Sequence, residues 1–290
     1  MNILIDIGHP AHVHYFKNMA WQLLELGHQV LFTVKDKEVA VPLLQAYKFR
    51  YEVLGRNKKG IISKLAGLFF YTVRLFKTTV RNRPHILFNA SLSAALVSWL
   101  LRKYHISLED TFNMEQVNLY LPFTNLVITG DYPHRNLGRK QLALPFYQEL
   151  LYLHPKYFTP DSLIYDTLGL TEGDRYAVVR FVSWGASHDV GQRGMTTENK
   201  IELVKQLSKY LRVFISSEGE LPDSLKEYLI KIPPEKMHDA LAFAHLFVGE
   251  SATMASECTI LGTPALYMNS KEFGSTSDQS QYGLLELFNE

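Results

Sequence analysis

Residues 2–7 form a short apolar run that stops at Gly8. A run of this length without polar alternation predicts a strand buried on both faces of a parallel sheet. Residues 14–26 follow with apolar positions at helical spacing (Phe16, Met19, Leu23, Leu26), and Gly27 stands where a helix-terminating glycine belongs. Residues 29–34 repeat the strand pattern, so strand, loop, helix, glycine and strand make a βαβ unit. The alternation continues with a helix over 39–47, a strand at 51–53, a long helix over 60–81, a strand at 86–88 and a helix over 90–101. Further strands are expected just before Glu109 and at 126–129.

Pro145, Pro155 and Pro160, set among aromatic residues, mark a junction, after which the pattern restarts. Strands are predicted at 176–181, 212–216, 246–248 and 265–268, with helices over 198–210, 221–228, 237–244 and 253–261. Two successive sets of alternating strands and helices imply two doubly wound α/β domains, residues 1–153 and 154–290. Ligands of such sheets sit at the carboxyl ends of the strands, here expected in a cleft between the domains.

Composition adds little beyond this. The 290 residues suit two domains, and 47% hydrophobic with 20% charged residues is ordinary for a soluble globular protein. A net charge of +1 gives no overall basic signature, so nucleic acid is not an expected partner. Cys258 is the only cysteine, which rules out an intramolecular disulfide and fits a reducing compartment. The start MNILIDIGHP lacks the features of a signal peptide. The longest uncharged apolar runs fall short of the ~18 residues that span a bilayer. The expected location is cytoplasmic, with peripheral contact at the inner face of a membrane as one reading. That reading rests on residues 56–83, which carry eight basic and no acidic residues together with Phe69, Phe70, Val73 and Phe76. A basic amphipathic helix can lie on an anionic lipid surface; a packed helix with a solvated basic face is the alternative.

Chemistry concentrates at strand ends. Residues 246–248 run into Gly249-Glu250-Ser251-Ala252-Thr253 at the start of a helix. A helix N-terminus offers free N–H groups and partial positive charge to a diphosphate, and small residues let phosphate oxygens approach the backbone. An ordinary capped helix, with Ser251 or Thr253 as cap, explains the same residues. Residues 8–14, Gly-His-Pro-Ala-His-Val-His, are expected as a loop between the first strand and first helix. His12 there could take a proton from a hydroxyl, or pack at the helix start. His9, His12 and His14 could also bind a metal, although no fourth ligand is evident nearby. Arg180 could neutralise phosphate or make a structural salt bridge. Glu218, at another strand end, is expected to face the same cleft by the topology rule.

These residues resemble a known enzyme class. Ser251 to Tyr267, with Ser256-Glu257 and then Gly262-Thr263-Pro264-Ala265-Leu266 at its spacing, resembles the donor site of GT-B glycosyltransferases. It is especially similar to the N-acetylglucosaminyltransferase that forms lipid II. The resemblance implies that Glu257 holds the ribose hydroxyls of UDP, a role suited to a carboxylate facing a cis-diol. Asp278-Gln279-Ser280-Gln281-Tyr282 resembles that enzyme's sugar-binding glutamine segment. Gln281 matches one glutamine, Ser280 replaces the other, and Gln279 stands one position away. His12-Val13 resembles its His-Val loop, and Asp110 an acidic position on its acceptor side. The stretch from Asp6 to Asn18 is more similar still to an uncharacterised GT-B-like family related to UDP-N-acetylglucosamine 2-epimerases.

The resemblance implies a GT-B-like fold of two Rossmann-like domains facing a cleft. The chain ends at Glu290, before the helices with which such proteins usually continue, so these are expected to be missing. It also implies a metal-independent glycosyltransferase with no cofactor, moving a sugar from a nucleotide diphosphate donor, UDP-sugar first, to a glycan or lipid-linked acceptor of the cell envelope. His12 and Asp110 would be catalytic. Arg180, Ser183, Glu218, Ser251, Ala252, Thr253, Glu257, Gln279 and Gln281 would bind the donor. A nucleotide-sugar 2-epimerase or hydrolase, with Asp110, Glu218 or Glu250 as proton carriers, and a non-catalytic nucleotide-sugar binder remain the alternatives.

Overall fold

A computed structural model describes residues 1–56, 61–110, 114–132, 136–182, 194–268 and 274–288, with backbone only for 61–65. The chain divides into two compact units, Met1–Tyr152 and Leu153–Glu290. Leu153 thus opens the second unit instead of closing the first.

Unit 1 runs β1 (Asn2–Ile7), α1 (Pro10–Glu25), β2 (Gln29–Asp36), α2 (Ala40–Ala46), β3 (Tyr51–Arg56), α3 (Ile61–Asn82), β4 (Ile86–Phe88), α4 (Leu92–Leu100), β5 (Tyr104–Leu108), α5 (Met114–Tyr120), β6 (Leu126–Gly130) and β7 (Gln141–Leu144), with α6 (Leu150–Leu153) at the junction. Its seven described strands pair in parallel in the order β3-β2-β1-β4-β5-β6-β7. The chain builds outward from β1 in one direction, then returns to start again at β4. The carboxyl ends of β1 and β4 therefore flank the topological switch point, where loops diverge and leave a crevice.

Unit 2 runs α7 (Ile164–Thr167), β8 (Tyr176–Phe181), α8 (Thr197–Leu207), β9 (Arg212–Ser217), α9 (Met237–Ala242), β10 (Leu246–Gly249), α10 (Ala252–Leu261), β11 (Ala265–Met268), α11 (Gly274–Ser280) and β12 (Leu285–Phe288). Its five described strands are parallel in the order β12-β11-β10-β8-β9, so the switch point lies between β8 and β10. Both central strands, β8 and β10, are apolar apart from Arg180 near the end of β8, and are covered on both faces. Tyr176, Val178, Phe247, Ala255 and Cys258 pack in one layer, and Val179, Phe181, Val204 and Ile215 in another.

Two expectations are corrected. Residues 10–13 are not loop: α1 begins at Pro10, because proline suits the first helical position and the His9 ring accepts the Ala11 N–H at 3.3 Å as its cap. His12 and His14 are thus helical. Residues 223–228 form a 3-10 helix rather than an α-helix. The stretch around residue 279, for which the sequence pattern predicts no element, belongs to α11, and a last strand, β12, follows it.

Gly249 shows how closely the central strands of unit 2 approach. It sits opposite Arg180 in the β8–β10 register, and a Cβ there would lie 2.6 Å from the Arg180 carbonyl oxygen. Gly249→Ala is expected to destabilise the protein by about 1–3 kcal/mol through overpacking, read as a lowered urea midpoint with an unchanged m-value.

Candidate functional site

In unit 1 the switch point is built around Asn89, the residue after β4. Its backbone adopts φ 107, a conformation asparagine tolerates better than most residues. Every polar group of Asn89 is used. Its N–H donates to the Ile106 carbonyl at 2.9 Å, and its carbonyl faces His105 Nε2 at 3.1 Å. Its side-chain oxygen accepts the Ala90 N–H at 2.7 Å. Its amide nitrogen reaches the Asp6 carbonyl at 2.6 Å and His12 Nδ1 at 2.7 Å. The acceptor-only carbonyl opposite His105 Nε2 requires the proton on that nitrogen, so Nδ1 accepts from the Thr124 hydroxyl at 2.8 Å. Burial pushes His105 down to about 4. It also holds His12 below the usual histidine range, with Asp110 and Asp6 pulling partly the other way.

Around this hub lie carboxylates and tyrosines. Asp6, buried at the end of β1, accepts from the Thr33 hydroxyl at 2.8 Å and from the Tyr71 hydroxyl. Tyr15, one turn along α1 from His12, donates to Asp110 Oδ2 at 2.8 Å, and the His12 and Tyr15 rings lie 5.6 Å apart. Glu109 is buried and accepts from the Tyr120 hydroxyl. The structure thus brings His12 and Asp110 to one strand edge. His14 behaves differently: it is buried, meets the Tyr47 hydroxyl at 3.2 Å and stacks on Tyr152. Among the described residues no group of three or more His, Cys, Asp or Glu side chains is placed to hold a metal ion.

In unit 2, Ser251 caps α10 by accepting the Met254 N–H at 3.3 Å. Ala252 and Thr253 occupy the first two helical positions, whose N–H groups have no acceptor within the helix. Arg180 donates to Ser216 Oγ at 2.7 Å and to Glu218 Oε1 at 2.6 Å, while its buried Nε has no hydrogen-bond partner among the described residues. Glu250 is buried, and its two oxygens accept the N–H groups of Val182 at 3.1 Å and Met195 at 2.7 Å. It ties together the two chain segments flanking residues 183–193. Ser183 lies outside the described residues. Glu257 is buried beside His238, with Oε1 3.0 Å from Nε2. Gln279 is buried against α10, where its amide nitrogen donates to Ser256 Oγ at 2.8 Å and its oxygen has no partner among the described residues. Gln281 is exposed, 3.5 Å from Asp278. It is therefore Gln279, not Gln281, that the fold packs against α10.

Sequence reasoning missed Asn89, His105, Tyr15 and His238. The topology rule could have flagged Asn89, which ends a strand at the point where the sheet order reverses. His238 carries no local signal, since its role exists only through contact with Glu257, nineteen residues away.

Two parallel α/β units, each with polar residues gathered at its switch point, define a GT-B-like protein. The chain belongs to the family described as protein of unknown function (DUF354), whose model matches residues 1–277. An uncharacterized protein of Methanocaldococcus jannaschii is 23% identical over 282 residues, covering 92% of this chain and 81% of the relative. Among solved structures, the UDP-GlcNAc 2-epimerase of the same organism, in complex with UDP-GlcNAc and UDP, superposes with a TM-score of 0.68 at 12% identity over 100% of this chain and 89% of the other. The Neisseria meningitidis UDP-GlcNAc 2-epimerase bound to UDP-GlcNAc gives 0.70 at 11% identity, with 100% and 88% covered. The Streptomyces sp. SF2575 glycosyltransferase SsfS6 gives 0.57 at 13% identity, with 99% and 87% covered. At such identities the likeness establishes the fold.

Buried neutral histidines make stability depend on pH. His105 has a folded-state pKa of about 4 against an ordinary 6.5. As pH falls, the unfolded chain takes up the proton first, so stability present above about 6.5 is lost on the way to about 4. The loss approaches about 3 kcal/mol for this group, and His12 adds to it with the same sign. Urea unfolding measured between pH 7 and 4 should show this slope, and His105→Gln should flatten it.

Proposed function

We propose that the protein is a GT-B-type glycosyltransferase that binds a nucleoside diphosphate-sugar, UDP-sugar first, at the carboxyl ends of β8 and β10. The observation that carries this reading is the start of α10 at the switch point of unit 2, together with two buried polar atoms that lack partners among the described residues, Arg180 Nε and Gln279 Oε1. A donor atom and an acceptor atom left unsatisfied each cost stability unless a ligand or water completes them. The N–H groups of Ala252 and Thr253 receive the diphosphate and stabilise it as a leaving group, so the reaction needs no metal. Glu257, positioned by His238, takes the ribose hydroxyls, and Gln279 the sugar. Arg180 adds positive charge, and Glu218 orients it. Ser183 and Gln281 stay in the proposal as outer contacts. In unit 1, Asp110 takes the acceptor hydroxyl's proton and His12 contacts the substrate. The acceptor is a glycan or lipid-linked component of the cell envelope.

The epimerase reading, favoured by the names of several structural neighbours, needs carboxylates able to move protons on the sugar. Of the three nominated, Glu250 already accepts two backbone N–H groups and Glu218 holds Arg180. Among the described residues Asp110 accepts from the Tyr15 hydroxyl and holds no backbone N–H or cation. Thermal unfolding in the presence of UDP tests the shared site. At a hundred times Kd, binding should add about 2.7 kcal/mol of stability, and Glu257→Ala should abolish the shift. No stabilisation by millimolar UDP would sink both readings. Epimerised sugar formed from UDP-GlcNAc alone would reject the transferase.

Contact with an anionic membrane surface fits the same reading. No helix among the described residues is long and apolar enough to cross a membrane. On α3, Phe69, Val73, Phe76 and Val80 lie three or four residues apart on one face, with Phe69 65% and Phe70 60% exposed. Phe70, Arg74, Lys77 and Arg81 form the neighbouring row, while Tyr71, Leu75, Thr78 and Thr79 face the core. Flotation with phosphatidylserine-containing vesicles should recover the protein, and purely zwitterionic vesicles should not. The double variant Phe69→Asp, Phe70→Asp should lose binding by at least roughly tenfold. Equal recovery of both proteins would remove the contact.

A further inference from the structure

We infer that Asn89 is a positioning residue that fixes His12 as the Nε2–H tautomer, so that the switch point of unit 1 offers a hydrogen-bond donor to a lone-pair oxygen of the substrate. The assignment follows from groups whose hydrogen-bonding sense is not in question. The Ala90 N–H can only donate, so the atom facing it at 2.7 Å is the Asn89 oxygen. The Asp6 carbonyl can only accept, so the atom facing it at 2.6 Å is the amide nitrogen. That nitrogen's second hydrogen points to His12 Nδ1 at 2.7 Å. A nitrogen that accepts carries no proton, so the neutral ring bears its proton on Nε2. Among the described residues Nε2 has no hydrogen-bond partner.

The orientation of Asn89 cannot relax easily. Its carbonyl is held by His105 and its N–H by Ile106, and its side chain is 1% exposed. Protonating His12 at Nδ1 would set two donors against each other at 2.7 Å. The ring is therefore held neutral by geometry as well as by burial. The charged and titratable groups around it are Asp6 on β1, Asp110 after β5, Lys37 after β2, and Tyr15 and His9 at the start of α1. The two carboxylates oppose the effect, and Lys37 and burial support it. The consequence is a division of labour. His12 donates to an oxygen and does not remove a proton from it, which leaves Asp110, already hydrogen-bonded by Tyr15, as the basic group of this edge.

The role of the substrate rests on the function proposed above, but the tautomer does not, so the test uses the free protein. In full-length protein carrying nitrogen-15 histidine, His12→Gln identifies the His12 signals. The expected spectrum at pH 7 has a pyridine-type Nδ1 and a protonated Nε2, and the ring should still be neutral at pH 6. Asn89→Asp places a carboxylate opposite Nδ1. It should move the proton to Nδ1 and raise the titration midpoint, and Asn89→Ala should give a mixture of tautomers. A wild-type His12 that is protonated on Nδ1, or charged at pH 7, would overturn the proposal without need of any variant. So would an Asn89→Asp protein that folds and leaves the His12 signals unchanged. Failure of UDP to bind would leave these spectra unaffected and would count against the proposed function alone.

Discussion

The hydrogen bonds made by Asn89 are the constraint on which the functional end of unit 1 depends. One residue joins three strands and a helix: β4 by its position, β5 through Ile106 and His105, β1 through the Asp6 carbonyl, and α1 through His12. Its backbone conformation is one that most side chains avoid, and its complete set of partners is what holds it there. A buried polar residue with every group satisfied rigidifies its surroundings, whereas one with a missing partner would cost stability. The same bonds that pin the crossover between β1 and β4 also set the orientation of His12. Structure and chemistry therefore share one network at this edge.

Unit 2 solves a related problem with charge. Gly249 lets β10 approach β8 closely, and the next residue, Glu250, turns inward to accept two backbone N–H groups on either side of residues 183–193. Arg180, opposite Gly249 in the sheet register, is anchored by Ser216 on the neighbouring strand and by Glu218 just past its end. Among the described residues, Arg180 Nε and Gln279 Oε1 are left without partners. The arrangement also narrows the chemistry, because carboxylates that hold the scaffold are poorly suited to carry protons.

Much of the fold was legible in the sequence because buried parallel strands read as unbroken apolar runs. Residues 2–7, 176–181 and 265–268 emerged with the boundaries of the final strands. β7 and β12 did not, because short strands near a sheet's edge lack the continuous apolar signal of the centre. The start of α1 was misplaced for a local reason: a run of histidines and a proline reads as loop until Pro10 is seen as a first helical residue. Phosphate-cradle chemistry at Ser251 to Thr253 could be proposed from the strand-to-helix pattern alone.

The sequence by itself thus determined the alternation of the central strands and helices and the two-unit organisation. These depend on short-range periodicity and on which side chains can be buried. Only the tertiary structure decided which polar residues are engaged. Glu257 meets His238, Gln279 meets Ser256, Glu250 clasps two distant N–H groups, and His12 answers to an asparagine 77 residues away. The hydrogen-bonding state of a side chain is set by whatever the folded chain brings within about 3 Å of it. Nothing in its sequence neighbours carries that information.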